Sequence, residues 1–246
     1  MERKQFLRTM GFAGLALTGL KALNGCSTDD ESVTNTGSGS SNTPTDGSCT
    51  VSPTETAGPF PTINPASLVV SDITADRTGV ALAITITVKN VNNDCNVLEN
   101  AIVDIWHCDK DGNYSEYGGT QMQSTNYTSA HFLRGRQTTN ADGQVAFTSI
   151  FPGWYTGRAT HIHVHIYNSS GNSLLITQIA FPEGSNSAVV QVNAATAYGY
   201  TKDMNGYTYN AADNIFSDDD EGAETATISG NIPDGFSLEH TIFVAS

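Results

Sequence analysis

The segment FPGWYTGRATHIHVHIY, residues 151–167, carries the strongest signal for both fold and chemistry in this chain of 246 residues. From Val164 outward its apolar and polar residues alternate, a pattern that predicts a β-strand. Because successive side chains of a strand point to opposite faces, His161, His163 and His165 share one face. Imidazoles spaced in this way could bind a metal ion, although a merely polar, half-exposed face explains an isolated H-x-H pair equally well.

Short strands separated by turns are predicted on both sides of this segment. The clearest is residues 80–88, VALAITITV, in which large apolar residues alternate with small or polar ones. Other strands are predicted at residues 101–107, 144–150, 174–181, 188–192 and 236–244. Charged residues make up only 15% of the chain, and no amphipathic helix of ten or more residues follows residue 26. The sequence therefore predicts an all-β fold, a mostly antiparallel β-sandwich with long loops.

The N-terminal region has the features of an export signal followed by a tether. Basic residues precede a short apolar run at residues 11–20, and LNGC at residues 23–26 resembles a bacterial lipobox with Cys26 as the lipidated residue. Export through the Sec or the twin-arginine route stays open. Residues 27–48 form a polar, low-complexity linker, which leaves residues 49–246 as the folded domain. We expect an exported lipoprotein of the bacterial cell envelope.

Charge and cysteine content narrow the range of partners. Removal of residues 1–25 leaves seven basic and 24 acidic residues, a formal net charge of −17. Such an acidic chain is not expected to bind nucleic acid, and membrane contact is expected only through the lipid. Cys49, Cys95 and Cys108 remain for the domain, enough for one disulfide and one thiol, although spacing does not decide the pairing. Cys108 could equally be a small buried residue, and homo-oligomer formation stays open.

Several motifs together resemble a known family. WHCDKDGNYS begins at residue 106, FLRGRQTTNADG at residue 132 and PGWYTGRATHIH at residue 152, with AGPFP at residues 57–61 and TQI at residues 177–179. In this order, over about residues 49–182, they resemble the intradiol ring-cleavage dioxygenases. The resemblance implies a β-sandwich with a mononuclear non-haem Fe(III) held by two tyrosines and two histidines. These would be Tyr114, Tyr155, His161 and His163.

The same resemblance implies a reaction and further functional residues. The enzyme would open the ring of a catechol-type aromatic between its two hydroxylated carbons with O₂, giving a muconate-type diacid. Tyr155 would leave the metal when the catechol binds, whereas Tyr114 would stay. Arg158 would stabilise negative charge on the bound ring, and Gln178 would orient neighbouring hydrogen bonds. The donor set is chemically consistent, since a hard trivalent cation prefers anionic oxygen ligands.

Some residues depart from the family pattern or have no assigned role. Ala57 and Phe60 stand where the family commonly has glutamate and tyrosine, and the spacing of six residues between the second tyrosine and the first histidine is short. Tyr117 is a rival ligand close to the first tyrosine. Residues 121–136 are expected to shape specificity. Three other histidines have no assigned role: His107 and His131 are expected to line the pocket, and His165 is expected to pack or to lie on an open face.

Two other functions are compatible with the sequence. The first is an envelope lipoprotein that binds sugars or aromatics on a β-sandwich without catalysis. The second is a zinc or copper protein that uses the H-x-H pair.

Residues 218–221, DDDE, lack the ligand spacing of an EF-hand and are interpreted as a solvated acidic loop.

Overall fold

The computed structural model describes residues 49–246. The predicted export signal at residues 1–26, the linker at residues 27–48 and Cys26 lie outside the described residues. Within residues 49–246, no helix has the length and apolar character needed to span a bilayer.

Two β-sheets form the body of the described domain. The first contains five strands in the order β2-β1-β9-β8, with β5 also paired to β1, and the second has the order β4-β3-β6-β7. Every strand pair is antiparallel except β1 with β9. The strands are β1 (Ala81–Asn90), β2 (Asn96–Val97), β3 (Ile102–Trp106), β4 (Arg134–Thr138), β5 (Gln144–Ile150), β6 (His161–Tyr167), β7 (Ser173–Ala180), β8 (Thr227–Asn231) and β9 (Gly235–Val244). The predicted all-β sandwich is confirmed.

Alternation along the strands determines which residues enter the core. In β1, the alternate residues Leu82, Ile84, Ile86 and Val88 are all buried within the main apolar cluster, which also contains residues of the second sheet. Burial of such side chains contributes about 1.5–3 kcal/mol each to folding. The repeating pattern of β1 is thus the sequence signal for its buried face.

Strand β6 is buried on both faces, and each face has a different neighbour. Ile162, Val164 and Ile166 belong to the main core, whereas the buried His161 and His163 point to the opposite face of the sheet. Loops cover this second face around the cluster of Phe60, Trp106, Cys108 and Tyr114. The strand therefore lies between the sandwich core and a second buried, mostly aromatic cluster, toward which its two histidines point.

The predicted strand at residues 188–192 is wrong. These residues form the helix α1, Ala188–Asn193, whose Ser187 Oγ accepts a hydrogen bond from the backbone N–H of Val190. Val189 and Val192, three positions apart, are both fully buried, so the apolar residues follow a helical spacing. An N-cap and one-sided packing here outweigh the β-propensity of valine. Strands β2, β4 and β8 were not predicted, because they are short or carry little apolar alternation.

The cysteines divide as one disulfide and one thiol. Cys49 is bonded to Cys95, while Cys108 is a buried free cysteine. Burial raises the pKa of the Cys108 thiol. The thiol is therefore neutral, and Cys108 packs as an apolar member of the cluster that also contains Phe60, Trp106 and Tyr114. The disulfide ties the start of the described domain to the β1–β2 connection.

Candidate metal centre

The four predicted ligands meet on the outer face of β6. Tyr114 Oη lies 3.1 Å from His161 Nε2, which lies 3.2 Å from His163 Nε2. The ring of Tyr155 stands edge-on to that of Tyr114, with centroids 5.9 Å apart, and edge-on to that of His161 at 5.7 Å. The topology thus assembles two phenols and two imidazoles from two loops and one strand.

Hydrogen bonding and stacking orient the two imidazoles. His161 Nδ1 lies 2.7 Å from the carbonyl oxygen of Ala159, which can only accept, so Nδ1 donates and Nε2 keeps a lone pair facing the cluster. The ring of His163 stacks on Trp106, its cross-strand neighbour, with centroids 5.0 Å apart and planes 2° from parallel. The buried His163 Nδ1 has no hydrogen-bond partner in the described part of the chain. Stacking therefore fixes this ring.

Burial keeps all four side chains in their neutral forms when no cation is bound. It lowers the pKa of His161 to about 3, with a further contribution from Arg158, and lowers the pKa of His163 as well. Burial also raises the pKa of both Tyr114 and Tyr155, in each case against the opposing effect of Arg158. Neutral imidazole is the form that binds metals, and a bound cation reverses the penalty on a phenolate.

This donor set fits a hard, multiply charged cation. Two phenol oxygens supply the anionic ligands that such an ion prefers, and two neutral imidazoles complete the set. A metal at this position would depend on the tyrosines, since within residues 49–246 no group of three or more His, Cys, Asp or Glu side chains is placed to hold a metal ion.

Arg158 and Gln178 lie adjacent to the four side chains. Arg158 Nη2 donates to Gln178 Oε1 at 2.7 Å, and Gln178 Nε2 donates to the carbonyl of Thr56 at 2.9 Å. Arg158 Nη1 lies 3.5 Å from both Tyr155 Oη and His161 Nε2. The guanidinium therefore points one nitrogen into the cluster.

Two charged residues of the site were missed by sequence reasoning. Asp213 is fully buried and forms an ion pair with Arg158 at 2.9 Å, although the two lie 55 positions apart. Arg134 is buried beneath Tyr114, with its guanidinium carbon 5.9 Å from that ring and its Nη1 bonded to the carbonyl of Phe60. Arg134 belongs to the FLRGR motif, whereas nothing local distinguishes Asp213 from other acidic residues of its region.

Residues 121–136 support Tyr114 from its backbone side. Gln123 accepts a hydrogen bond from the N–H of Tyr114 and donates one to its carbonyl. Arg134 Nη2 donates to the carbonyl of Ser115 at 2.6 Å and its Nε to the Ser115 hydroxyl. In this way the segment holds the tyrosine loop against the sheet.

The other aromatic and histidine residues considered have different partners. The rival ligand Tyr117 donates its hydroxyl to the carbonyl of Pro61 at 2.6 Å. His107 is buried between the Cys108 carbonyl and the Ser149 hydroxyl. Outside the cluster, the exposed His131 contacts the buried Glu116, and His165 contacts Ser173 and Tyr167.

Comparisons with known proteins identify the family of the chain. The family model described as Dioxygenase matches residues 64–205, more than half of the chain. A chlorocatechol 1,2-dioxygenase of Rhodococcus opacus is 30% identical over 142 residues, which are 50% of this chain and only 51% of that protein. The chain thus spans about half the length of this curated relative.

Solved structures extend the similarity to the fold. An intradiol ring-cleavage dioxygenase of Tetranychus urticae superimposes with a TM-score of 0.68 at 28% identity, covering 80% of this chain and 95% of the other. The dioxygenase domain of a carbohydrate-binding fusion protein from Streptomyces sp. SirexAA-E shares the fold, with a TM-score of 0.55 at 23% identity over 80% and 99% of the two chains. By its matched residues, its sandwich and these relatives, the chain belongs to the intradiol ring-cleavage dioxygenase family.

Proposed function

We propose that the protein is a non-haem Fe(III) intradiol dioxygenase. It would open a catechol-type ring between the two hydroxylated carbons with O₂ and release a muconate-type diacid. The observation that carries the proposal is the meeting of Tyr114, Tyr155, His161 and His163 beside Arg158. When bound, the ferric ion would hold the catecholate and withdraw electron density from its ring, so that O₂ attacks the ring.

The two tyrosines differ in a way that supports different roles for them. Tyr114 is completely buried, stacked on Phe60 at 4.8 Å and fixed through its backbone, as expected for a permanent ligand. Tyr155 is only half-buried and is followed by the exposed Thr156 and Gly157. It is therefore the tyrosine free to swing away, and its released Oη can take a proton from an incoming catechol hydroxyl.

Arg158 and the surrounding apolar residues would serve the bound ring. Arg158 Nη1 lies 3.5 Å from Tyr155 Oη. The guanidinium would therefore lie beside the negative charge that develops on the bound ring after Tyr155 leaves. Phe60, Trp106 and Cys108 enclose the inner side of the cluster and exclude water from it. Exclusion of water strengthens the attraction between the guanidinium and an anionic ring.

The distribution of cations favours substrates without a ring carboxylate. Arg158 already donates to Asp213 and Gln178, and the buried Arg134 donates to Ser115, Phe60 and Thr62. Beside the cluster this leaves only Arg158 Nη1, which the ring itself requires, so a carboxylate on the ring would be buried without a cation of its own, which is costly. We expect kcat/KM for 3,4-dihydroxybenzoate to be at least about tenfold lower than for catechol, a difference of about 1.4 kcal/mol.

We also propose that the protein is an envelope lipoprotein anchored through Cys26. The Cys49–Cys95 disulfide supports this proposal, since such bonds persist in oxidising compartments. Metabolic labelling with a palmitate analogue tests it. Label and membrane association are expected in the wild type and should disappear in Cys26→Ala; membrane association that survives the substitution would contradict lipid anchoring.

The visible spectrum of the purified chain, before and after anaerobic addition of catechol, tests the catalytic proposal. A burgundy protein with a broad phenolate-to-iron band that shifts to longer wavelength is expected, followed by O₂ uptake with catechol. A protein that stays colourless and free of iron after ferric reconstitution would contradict the proposal and favour the binding lipoprotein. Tight zinc or copper binding without O₂ uptake would favour the H-x-H metal protein.

A further inference from the structure

Arg158 is held along one edge by a carboxylate from a distant part of the chain. Its Nε lies 2.9 and 3.1 Å from the two oxygens of Asp213, whose side chain is completely enclosed. Asp213 lies beyond residue 205, where the match to the family model ends. The motifs that place the arginine therefore do not include its carboxylate partner.

Asp213 is itself fixed by the segment that carries it. It follows the 3-10 helix Asn210–Ala212, and its Oδ1 accepts a hydrogen bond from the N–H of Ile215 at 2.8 Å. Its backbone carbonyl accepts from the N–H of Ser217. The ring of Phe216, in the next turn, lies 5.6 Å from the guanidinium carbon of the arginine. The carboxylate is thus a rigid support.

The same carboxylate also reaches the backbone next to the first histidine. Asp213 Oδ2 accepts from the N–H of Ala159 at 2.7 Å, and the carbonyl of Ala159 accepts from His161 Nδ1 at 2.7 Å. One side chain thereby contacts both the arginine and the residue that orients His161. An asparagine at position 213 would keep one oxygen for the N–H of Ala159 but lose the charge that holds the guanidinium, so Asp213→Asn bears on the arginine.

The three nitrogens of Arg158 have three different tasks. With Nε held by Asp213 and Nη2 donating to Gln178, only Nη1 faces Tyr155 and His161. A guanidinium is planar, so fixing two of its nitrogens determines the direction of the third. Without the carboxylate, rotation about the side-chain bonds could withdraw Nη1 from the cluster.

We propose that Asp213 is a positioning residue that holds the Arg158 guanidinium with Nη1 directed at the reacting ring. This proposal rests on the proposed dioxygenase function. Asp213 would act through the arginine, whereas catechol would bind through its own hydroxyls. Loss of Asp213 should therefore lower turnover more than it weakens the binding of catechol. Replacing such a supporting partner typically costs about 10- to 100-fold in activity.

The first test needs neither iron nor turnover. The full-length chain contains six arginines, so few Nε–H signals appear in a ¹⁵N–¹H spectrum, and Arg158→Lys identifies the signal of Arg158. In Asp213→Asn we expect this Nε–H to exchange with solvent at least about tenfold faster than in the wild type. The matched control is Asp104→Asn, which breaks the Arg136–Asp104 pair on β3 and β4, and should leave the Arg158 signal unchanged.

The second test uses the iron-loaded full-length chain. In Asp213→Asn we expect kcat for catechol to fall about 10- to 100-fold, while the anaerobic Kd of catechol changes less than about threefold. In an Arg158→Gln background, the Asp213 substitution should add less than about threefold, because its effect passes through the arginine. Asp104→Asn should keep the wild-type kcat.

The outcomes separate this proposal from the proposed function. Unchanged exchange at Arg158 Nε–H in Asp213→Asn, or a loss of kcat equal to that in Asp104→Asn, would overturn the positioning role. A wild-type protein that binds no iron would defeat the proposed function, while the exchange measurement would still decide whether Asp213 holds the arginine. If Asp213→Asn does not fold, Asp213→Glu replaces it, because glutamate keeps the charge but shifts it by one methylene. Wild-type exchange of Arg158 Nε–H together with wild-type kcat in Asp213→Glu would refute the need for a carboxylate at the position that Asp213 gives it.

Discussion

Gly58 is the position where the smallest change should damage the candidate metal centre most directly. Its backbone has φ +69°, and a Cβ added there would lie 2.8 Å from Cε1 and 3.3 Å from Nε2 of His163. The imidazole cannot turn away without leaving its stack on Trp106. The substitution Gly58→Ala therefore combines a left-handed backbone with a clash against a proposed metal ligand.

The two costs can be separated with a matched glycine. Gly119 has φ +68°, and a Cβ there would meet no atom within 4 Å. Gly119→Ala should therefore carry only the conformational penalty of about 1–2 kcal/mol. Gly58→Ala should carry the same penalty plus about 1–3 kcal/mol for overpacking.

Thermal unfolding and iron content together test this reasoning. At about 2–4 °C per kcal/mol for a domain of this size, the extra cost in Gly58→Ala is about 2–12 °C in Tm relative to Gly119→Ala. We expect Gly58→Ala also to bind less iron after ferric reconstitution, because the clash displaces the Nε2 side of His163. Equal stability and equal iron content in the two variants would refute the argument.

Three further predictions concern other parts of the molecule. Tyr155→Phe should remove most of the phenolate-to-iron colour. Tyr117→Phe should keep that colour, because the Tyr117 hydroxyl donates to the carbonyl of Pro61. The reverse result in visible spectra would exchange the roles of the two tyrosines. Replacing Cys49 and Cys95 by alanine opens a linkage across 46 positions and should cost about 4 kcal/mol in denaturant unfolding, whereas equal stability with and without the bond would contradict this value. Burial, with four surrounding carboxylates, raises the pKa of Glu224 to about 8. Because its pKa in the folded state lies above the ordinary value of 4.5, the Glu224 carboxyl contributes stability that is fully present below pH 4.5 and is lost as the pH rises through 8. Glu224→Gln should therefore flatten the fall in the free energy of unfolding between pH 4.5 and pH 8. A slope equal to that of the wild type would show that this carboxyl does not titrate there. The surrounding carboxylates are Glu55, Asp219, Asp218 and Asp213.

The charges around the cluster are balanced in pairs that only the fold creates. Arg158 is neutralised by Asp213 at 2.9 Å, and Arg134 has Glu116 at 3.6 Å. Burial lowers the pKa of Arg134 to about 10, which still leaves it charged at neutral pH. Neither cation therefore adds an uncompensated charge beside the two tyrosines, which as phenolates would offset two of the three positive charges of a bound ferric ion.

Local features of the sequence were enough to predict the sandwich and the shared face of the histidines. Alternation in residues 80–88 corresponds to β1, Ala81–Asn90, because burial of one face requires a period of two wherever that face meets the core. The histidines on β6 share a face for the same reason. Tyr114 and Tyr155 could be named in advance because their short motifs resemble a family, whereas their meeting with the histidines is a property of the fold.

Contacts between distant segments were decided by the tertiary structure alone. The Cys49–Cys95 bond and the Asp213–Arg158 pair join residues 46 and 55 positions apart, and no local pattern distinguishes these partners from other cysteines or acidic residues. The helix Ala188–Asn193 overrode the strand propensity of its valines because Val189 and Val192 are buried together on one side. Propensity and periodicity act over a few residues, but the free energy of burial and ion pairing depends on which segments the whole fold brings together.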